Sequence, residues 1–153
     1  MDIMTASTKV RRVLVTGGNR GIGLEVCRQL ALLGHNVFLG SRDMQRGVEA
    51  ALEVGATAIH LDIADPASAA RVVTEIGGVD ILINNAATHY DAGETALTAD
   101  WAVVREAFET NLFGAWRTAK AFVPRMRKRG WGRIVNVSSE AGSITNMNGG
   151  TPA

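Results

Sequence analysis

Five short, mostly apolar runs alternate with segments of helical periodicity along this chain, and that alternation restricts its fold more than any other feature. The runs are Val13-Leu14-Val15, Val37-Phe38-Leu39, Ala58-Ile59-His60-Leu61, Ile81-Leu82-Ile83 and Ile134-Val135-Asn136-Val137. Each has strand length and little polar alternation, as expected of strands covered on both faces. Between them, apolar residues recur at helical spacing: Ile22, Val26, Leu30 and Leu33; Val48 and Leu52 with Ala51; Ala70, Val73 and Ile76; then Val104, Phe108, Leu112, Ala115, Ala119, Phe122 and Met126. Repeated strand–helix–strand units imply an α/β protein, a doubly wound parallel sheet with helices on both faces. The 153 residues suffice for one domain with a real core.

Local signals place the boundaries. Residues 1–10 read as a flexible tail and 11–153 as one domain. The first strand, about 11–16, runs into a glycine turn and a helix to about 33, with Gly34 just past its end. Asp43 suits a helix cap, and Gly55 closes that helix. Asp65-Pro66 predicts a helix with proline in its first position. One long helix is predicted over 98–129, with a kink at Pro124. The basic run Arg125, Arg127, Lys128, Arg129 reads as its solvated last turn, where cations suit the dipole. The stretch 140–153 reads as loop.

Composition removes several function classes. Net charge is +1, which gives no electrostatic case for nucleic acid or an anionic membrane. The single cysteine, Cys27, allows no disulfide framework and no thiol metal site, and its place in the first helix favours a small buried apolar role. No signal-peptide core and no transmembrane run is present, so a cytoplasmic location is expected.

The polar groups collect where chemistry is done in such sheets, beyond the carboxyl ends of the strands. The first strand delivers Thr16-Gly17-Gly18-Asn19-Arg20-Gly21-Ile22-Gly23. A glycine turn that opens a helix lets backbone approach a ligand closely and offers free N–H groups to a phosphate. The second strand delivers Ser41 and Arg42, the third Asp62 and Ile63, the fourth Asn84, Asn85 and Ala86, the fifth Ser138 and Ser139. Dinucleotide sites selecting NAD usually carry an acid near the end of the second strand, whereas an arginine there can grip a 2′-phosphate bidentately. Arg42 therefore points to NADP(H), with Arg20 a second cation; the plainer alternative is a solvated arginine before a helix. Asp43 is the acidic rival, one residue later in the cap position. Asp62 and Ile63 would border an adenine ring, although Asp62 serves equally as a loop-capping aspartate.

Thr16-Gly17-x-x-x-Gly21-x-Gly23, Asp62, Asn84-Asn85-Ala86, Asn111 and Asn136-Val137-Ser138-Ser139, in this order and spacing, resemble the short-chain dehydrogenase/reductase family, in particular its small single-domain carbonyl reductase-like members. The likeness covers residues 11–153. It implies a Rossmann-like sheet of order 3-2-1-4-5, an oligomer built through helix 98–129, and hydride transfer between NADP(H) and a carbonyl or alcohol substrate. The cofactor would be lined by Gly17, Asn19, Arg20, Gly21, Ile22, Gly23, Ser41, Arg42, Asp62, Ile63, Asn84 and Ala86. Ser139 would hydrogen-bond the substrate carbonyl, and Asn111 would hold a water of the proton relay. Asn111 lies between Phe108 and Ala115 on the expected buried side of its helix, where an amide must find partners.

Two departures stand out. Ala87 replaces the family's glycine after Asn84-Asn85-Ala86, adding one methyl. More important, the family's proton donor is the tyrosine of a Tyr-x-x-x-Lys motif, which this sequence lacks: the one tyrosine, Tyr90, is followed at the fourth position by Glu94. Tyr90 and His89 either shape a substrate pocket or are plain loop residues. General acid catalysis needs a donor of tuned pKa within hydrogen-bond reach of the reacting oxygen. The fifth strand would also be an uncovered apolar edge, which proteins normally pair or cover. The expectation is the amino-terminal part of an enzyme whose remaining residues come from a continuation or a second chain; the alternative is a non-catalytic NADP-binding module or pseudoenzyme.

Overall fold

The computed structural model describes residues 9–88, 95 and 97–139; His89, Tyr90, the 140–153 stretch and most of the amino-terminal tail lie outside them. The elements are β1 (Arg12–Thr16), α1 (Gly21–Leu32), β2 (Asn36–Ser41), α2 (Met44–Val54), β3 (Thr57–His60), α3 (Ser68–Ile76), β4 (Ile81–Asn84), α4 (Trp101–Ala107), a π-helical segment (Phe108–Gly114), α5 (Ala115–Lys128) and β5 (Arg133–Asn136).

The five strands form one parallel sheet in the order β3-β2-β1-β4-β5, the Rossmann-like order expected. Strand order reverses between β1 and β4, so a crevice opens there at the carboxyl ends. The inner strands alternate their side chains between two cores. Val13, Val15, Val37 and Leu39 meet Cys27 of α1 and Ala50, Ala51 and Val54 of α2. Leu14 and Leu82 point the other way, onto Val72 of α3 and Phe122 and Met126 of α5. Phe122, Leu14, Leu39 and Leu82 are fully buried, each worth about 1.5–3 kcal/mol against leaving it in water. Burial pushes the Cys27 thiol up to about 12, so it packs as a small hydrophobe and carries no thiolate near neutrality.

Several helix readings need correction. In α2 the buried face is Gly47, Ala50, Ala51 and Val54, while Val48 and Leu52 are exposed. The helix lies so close to β2 that a Cβ at Gly47 would meet the Ser41 Cβ at 3.0 Å, so only small residues fit beneath it. In α1, Gly23 and Cys27 are buried and Ile22 and Leu33 face out, for the same reason. Helix α3 begins at Ser68 rather than Pro66, because the Asp65 carboxylate accepts the Ala67 N–H at 2.9 Å and closes a separate turn first. Its buried residues are Ser68, Ala69 and Val72, and Ala70 is exposed.

The long helix starts at Trp101 and is interrupted by the π-helical segment, then runs on through Pro124. The wider turn rotates the apolar stripe. Gly114, Thr118, Phe122 and Met126 are buried, whereas Phe108 and Leu112 are exposed. Asn111, in the same segment, is exposed too, contrary to the buried position expected. Two residues of the basic run do more than face solvent. Arg125 donates to Gly77 O at 2.9 Å and Arg129 to Val79 O, while Arg12 donates to Ile76 O and Gly78 O. Three guanidinium groups thus take the carbonyls at the carboxyl end of α3, where helical partners run out.

Candidate cofactor site

The rim is built from β1 outward. Thr16, buried at the end of β1, accepts the N–H groups of both Asn85 and Ala86 on its hydroxyl, each at 3.0 Å. The Asn85 amide donates back to Thr16 O at 3.0 Å and Gly17 O at 3.2 Å. These four bonds staple the glycine turn to the end of β4, across the point where strand order reverses.

The staple leaves no room for side chains. A Cβ at Gly17, whose φ is +63°, would stand 2.9 Å from Ala86 Cα. Gly18 is held equally tightly, its Cβ position lying 2.8 Å from Leu39 Cγ and 3.1 Å from Cys27 Sγ. Gly21 differs: its φ is +54° and nothing lies within 4 Å of where a Cβ would go. That open space lies at the first turn of α1, which starts without a side-chain cap and has no acid in its first turn. Uncapped helix N–H groups, the positive end of the dipole and a glycine facing open space together fit a phosphate.

Arg20 precedes α1 and Arg42 follows β2; both are exposed, and neither forms an ion pair among the described residues. Asp43 is committed elsewhere. Its carboxylate accepts the Arg46 N–H at 3.1 Å, capping α2, and pairs with the Arg46 side chain at 3.4 Å. Ser41 is buried, and its hydroxyl donates to Asp43 O at 2.7 Å and accepts Asp43 N–H at 3.2 Å, so it shapes the Arg42 turn. Asn19 and Arg20 also line a cavity of about 280 Å³ between α1 and α2, with Arg46, Glu49 and Glu53.

On the β3 side, Asp62 Oδ1 accepts the Ala64 N–H at 2.9 Å, and Asp62 N–H donates to Ser68 Oγ at 3.1 Å. Asp62 therefore caps its own loop and leaves its second carboxylate oxygen without a partner among the described residues. Ile63 is buried under Gly114. On the β4 side, Asn84 is spent internally: its amide donates to Asn136 Oδ1 at 2.8 Å and Ala115 O at 3.3 Å, and its carbonyl accepts from Thr118 Oγ1 at 2.7 Å. Asn111 grips Thr88, accepting its N–H at 2.9 Å and donating to its carbonyl at 3.0 Å. Register Asn84↔Asn136 brings β4 and β5 to the same level, and exposed Ser138 and Ser139 follow there.

The rim thus unites the glycine turn, Arg42, Asp62 and Ala86, while Ser41 and Asn84 act from beneath. Gly18, Asn85, Thr118 and Asn136 hold it in place and were not singled out as site residues. A hydroxyl at a buried strand end and a threonine in an apolar stripe were the available signals, since buried polar groups need partners.

Comparison with known proteins gives this rim a family. The short chain dehydrogenase family model matches residues 11–151. The (+)-neomenthol dehydrogenase of Arabidopsis thaliana is 39% identical, covering 90% of this chain and 56% of its own length. The acetoacetyl-CoA reductase of Cupriavidus necator is 37% identical, covering 86% and 57%. A metagenomic short-chain oxidoreductase solved in complex with NADP superimposes with a TM-score of 0.80 at 30% identity, covering 87% of this chain and 64% of that one. The chain belongs to the short-chain dehydrogenase family, whose relatives are named as dehydrogenases and reductases. It spans little more than half the length of the relatives it matches.

Proposed function

We propose that the rim is an NADP(H) site and that this chain holds the cofactor of an oxidoreductase acting on a carbonyl or alcohol. The observation that carries the reading is the pair of arginines, Arg20 and Arg42, without an ion pair among the described residues, beside a carboxylate, Asp43, that is committed to capping α2. Gly17, Gly21 and the uncapped N–H groups of α1, with Asn19, Ile22 and Gly23, would receive the pyrophosphate. Arg20 and Arg42 would take the 2′-phosphate, since planar guanidinium groups bind it bidentately. Asp62 and Ile63 would border the adenine, and Ala86 the nicotinamide ribose. Ser41 and Asn84 keep Arg42 and the β4 end in position.

When bound, the nicotinamide supplies or accepts the hydride. Ser139 would orient the substrate carbonyl by a hydrogen bond, and Asn111, anchored on Thr88, would hold a water of the proton relay. The proton donor and its lysine would come from residues outside these 153, as the carboxyl-terminal portion of the same enzyme. Exposed Phe108, Leu112, Phe113 and Trp116 support a homo-oligomer through the long helix. No helix among the described residues is long and apolar enough to cross a membrane; the location proposed is cytoplasmic.

The test is turnover. The 153-residue chain alone should reduce no carbonyl with NADPH, and the same chain combined with the Tyr-x-x-x-Lys portion should. Full turnover by the isolated chain would contradict the division of labour. A second reading is a non-catalytic NADP-binding module; NADPH binding without turnover in the presence of the Tyr-x-x-x-Lys portion would support it over the enzyme.

A further inference from the structure

Arg117 lies in the first turn of α5. Its Nη1 sits 3.4 Å from Ile63 O and 3.5 Å from Ala64 O, and its Nη2 pairs with the Glu109 carboxylate. Glu109 belongs to the π-helical segment that carries Asn111. One guanidinium therefore ties the loop after β3 to that segment. Packing reinforces the tie, because a Cβ at Gly114 would stand 2.9 Å from Ile63 Cδ1. The rest of the loop is held within itself and to α3: Asp62 through Ser68, Ala64 and Asp65 back to Asp62, and Asp65 to Ala67, Ser68 and Arg71; Arg117 is the side chain that ties it to the π-helical segment. Holding the Ile63 and Ala64 carbonyls restricts the backbone that carries the Ile63 N–H and the Asp62 carboxylate, whose second oxygen has no partner among the described residues.

We propose that Arg117, braced by Glu109, is a positioning residue for recognition of the cofactor's purine base by Asp62 and Ile63. The inference rests on the NADP(H) reading of the rim. An amino purine offers an exocyclic N–H₂ donor to a carboxylate and a ring acceptor to an N–H. Its deaminated counterpart, hypoxanthine, offers a carbonyl where the donor was. A loop held by Arg117 should tell the two apart; a loop released from it should not.

The experiment measures the dissociation constants of the 153-residue chain for NADPH and for its hypoxanthine analogue by equilibrium titration, with NADH as a third ligand. The wild type should bind NADPH about tenfold more tightly than the hypoxanthine form, the scale of one hydrogen bond to a charged group. Arg117→Met should reduce that ratio to about twofold while leaving the NADPH-to-NADH ratio unchanged, because Arg20 and Arg42 are untouched. Glu109→Gln, which leaves the core alone, should move the base ratio the same way by a smaller factor, and serves if Arg117→Met does not fold. A base ratio unchanged in the folded variants overturns the role of Arg117 while the NADP(H) site stands. No base discrimination in the wild type, with NADPH still preferred over NADH, overturns it equally. Failure to bind NADPH at all overturns the site reading and this inference together.

Discussion

An added Cβ at Gly23 would sit 2.4 Å from the Asn85 amide nitrogen and 2.5 Å from Gly17 O, both parts of the staple that fixes the glycine turn. At Gly21 the obstacle is only backbone conformation, with φ at +54° and open space around the Cβ position. The two glycines of one motif therefore have different duties. Gly23→Ala should lower unfolding stability by about 3 kcal/mol, since backbone and a pinned amide must shift. Gly21→Ala should cost about 1 kcal/mol in stability but weaken NADPH binding strongly, because its methyl enters the phosphate space. Urea denaturation of both variants checks this, and equal losses would contradict the assignment. The glycines were legible because their spacing is local. Thr16 and Asn85 were read as parts of their motifs, but their stapling of one to the other was not, because it arises from contacts between residues 69 apart in sequence. Ser41 and Asn84 were read as lining the cofactor, and both have side-chain polar atoms bonded to partners within the chain. Whether a polar group faces a ligand or braces a neighbour depends on partners that a linear reading does not contain.

At the scale of elements, apolar periodicity located the helices among the described residues and part of each buried face: Val26, Leu30, Val73, Ile76, Phe122 and Met126 do pack on the cores, whereas Ile22, Leu33, Val48, Leu52, Ala70, Phe108 and Leu112 face out. In α2 the strongest hydrophobes face out, and a glycine and two alanines set the close approach to the sheet. In the long helix the π-helical segment adds a residue per turn and shifts the stripe, so Phe108 and Leu112 leave the line of Phe122 and Met126. π turns of this kind recur at functional sites, and this one carries Asn111 and Glu109. Below it, Thr118 is fully buried, and its hydroxyl is a donor to the Asn84 carbonyl, whose amide continues to Asn136 on β5. Thr118→Val keeps the shape and leaves that carbonyl without its donor, so a loss of about 2 kcal/mol is expected. Asn136→Ala should cost less, since Asn136 is exposed and water can replace it. Denaturant titration of the pair checks the order, and the reverse order would place the weight of the network on β5.

Over the whole molecule, strand–helix alternation was enough to read a parallel sheet with helices on both faces, because parallel strands need crossovers, while the strand order came with the family resemblance. Among the described residues β5 stands at the end of the strand order, with Ile134 and Val135 exposed. Charge is distributed with similar economy: the cations at the amino ends of the strands close α3, while Arg20 and Arg42 at the opposite rim remain unpaired among the described residues. That asymmetry underlies the NADP(H) assignment. It is tested most directly by titrating the 153-residue chain and its Arg42→Asp variant with NADPH and with NADH. The wild type should bind NADPH at least about tenfold more tightly, and Arg42→Asp should abolish or invert that preference by weakening NADPH far more than NADH. Equal affinities in the wild type, or a ratio unmoved by Arg42→Asp, would contradict the account.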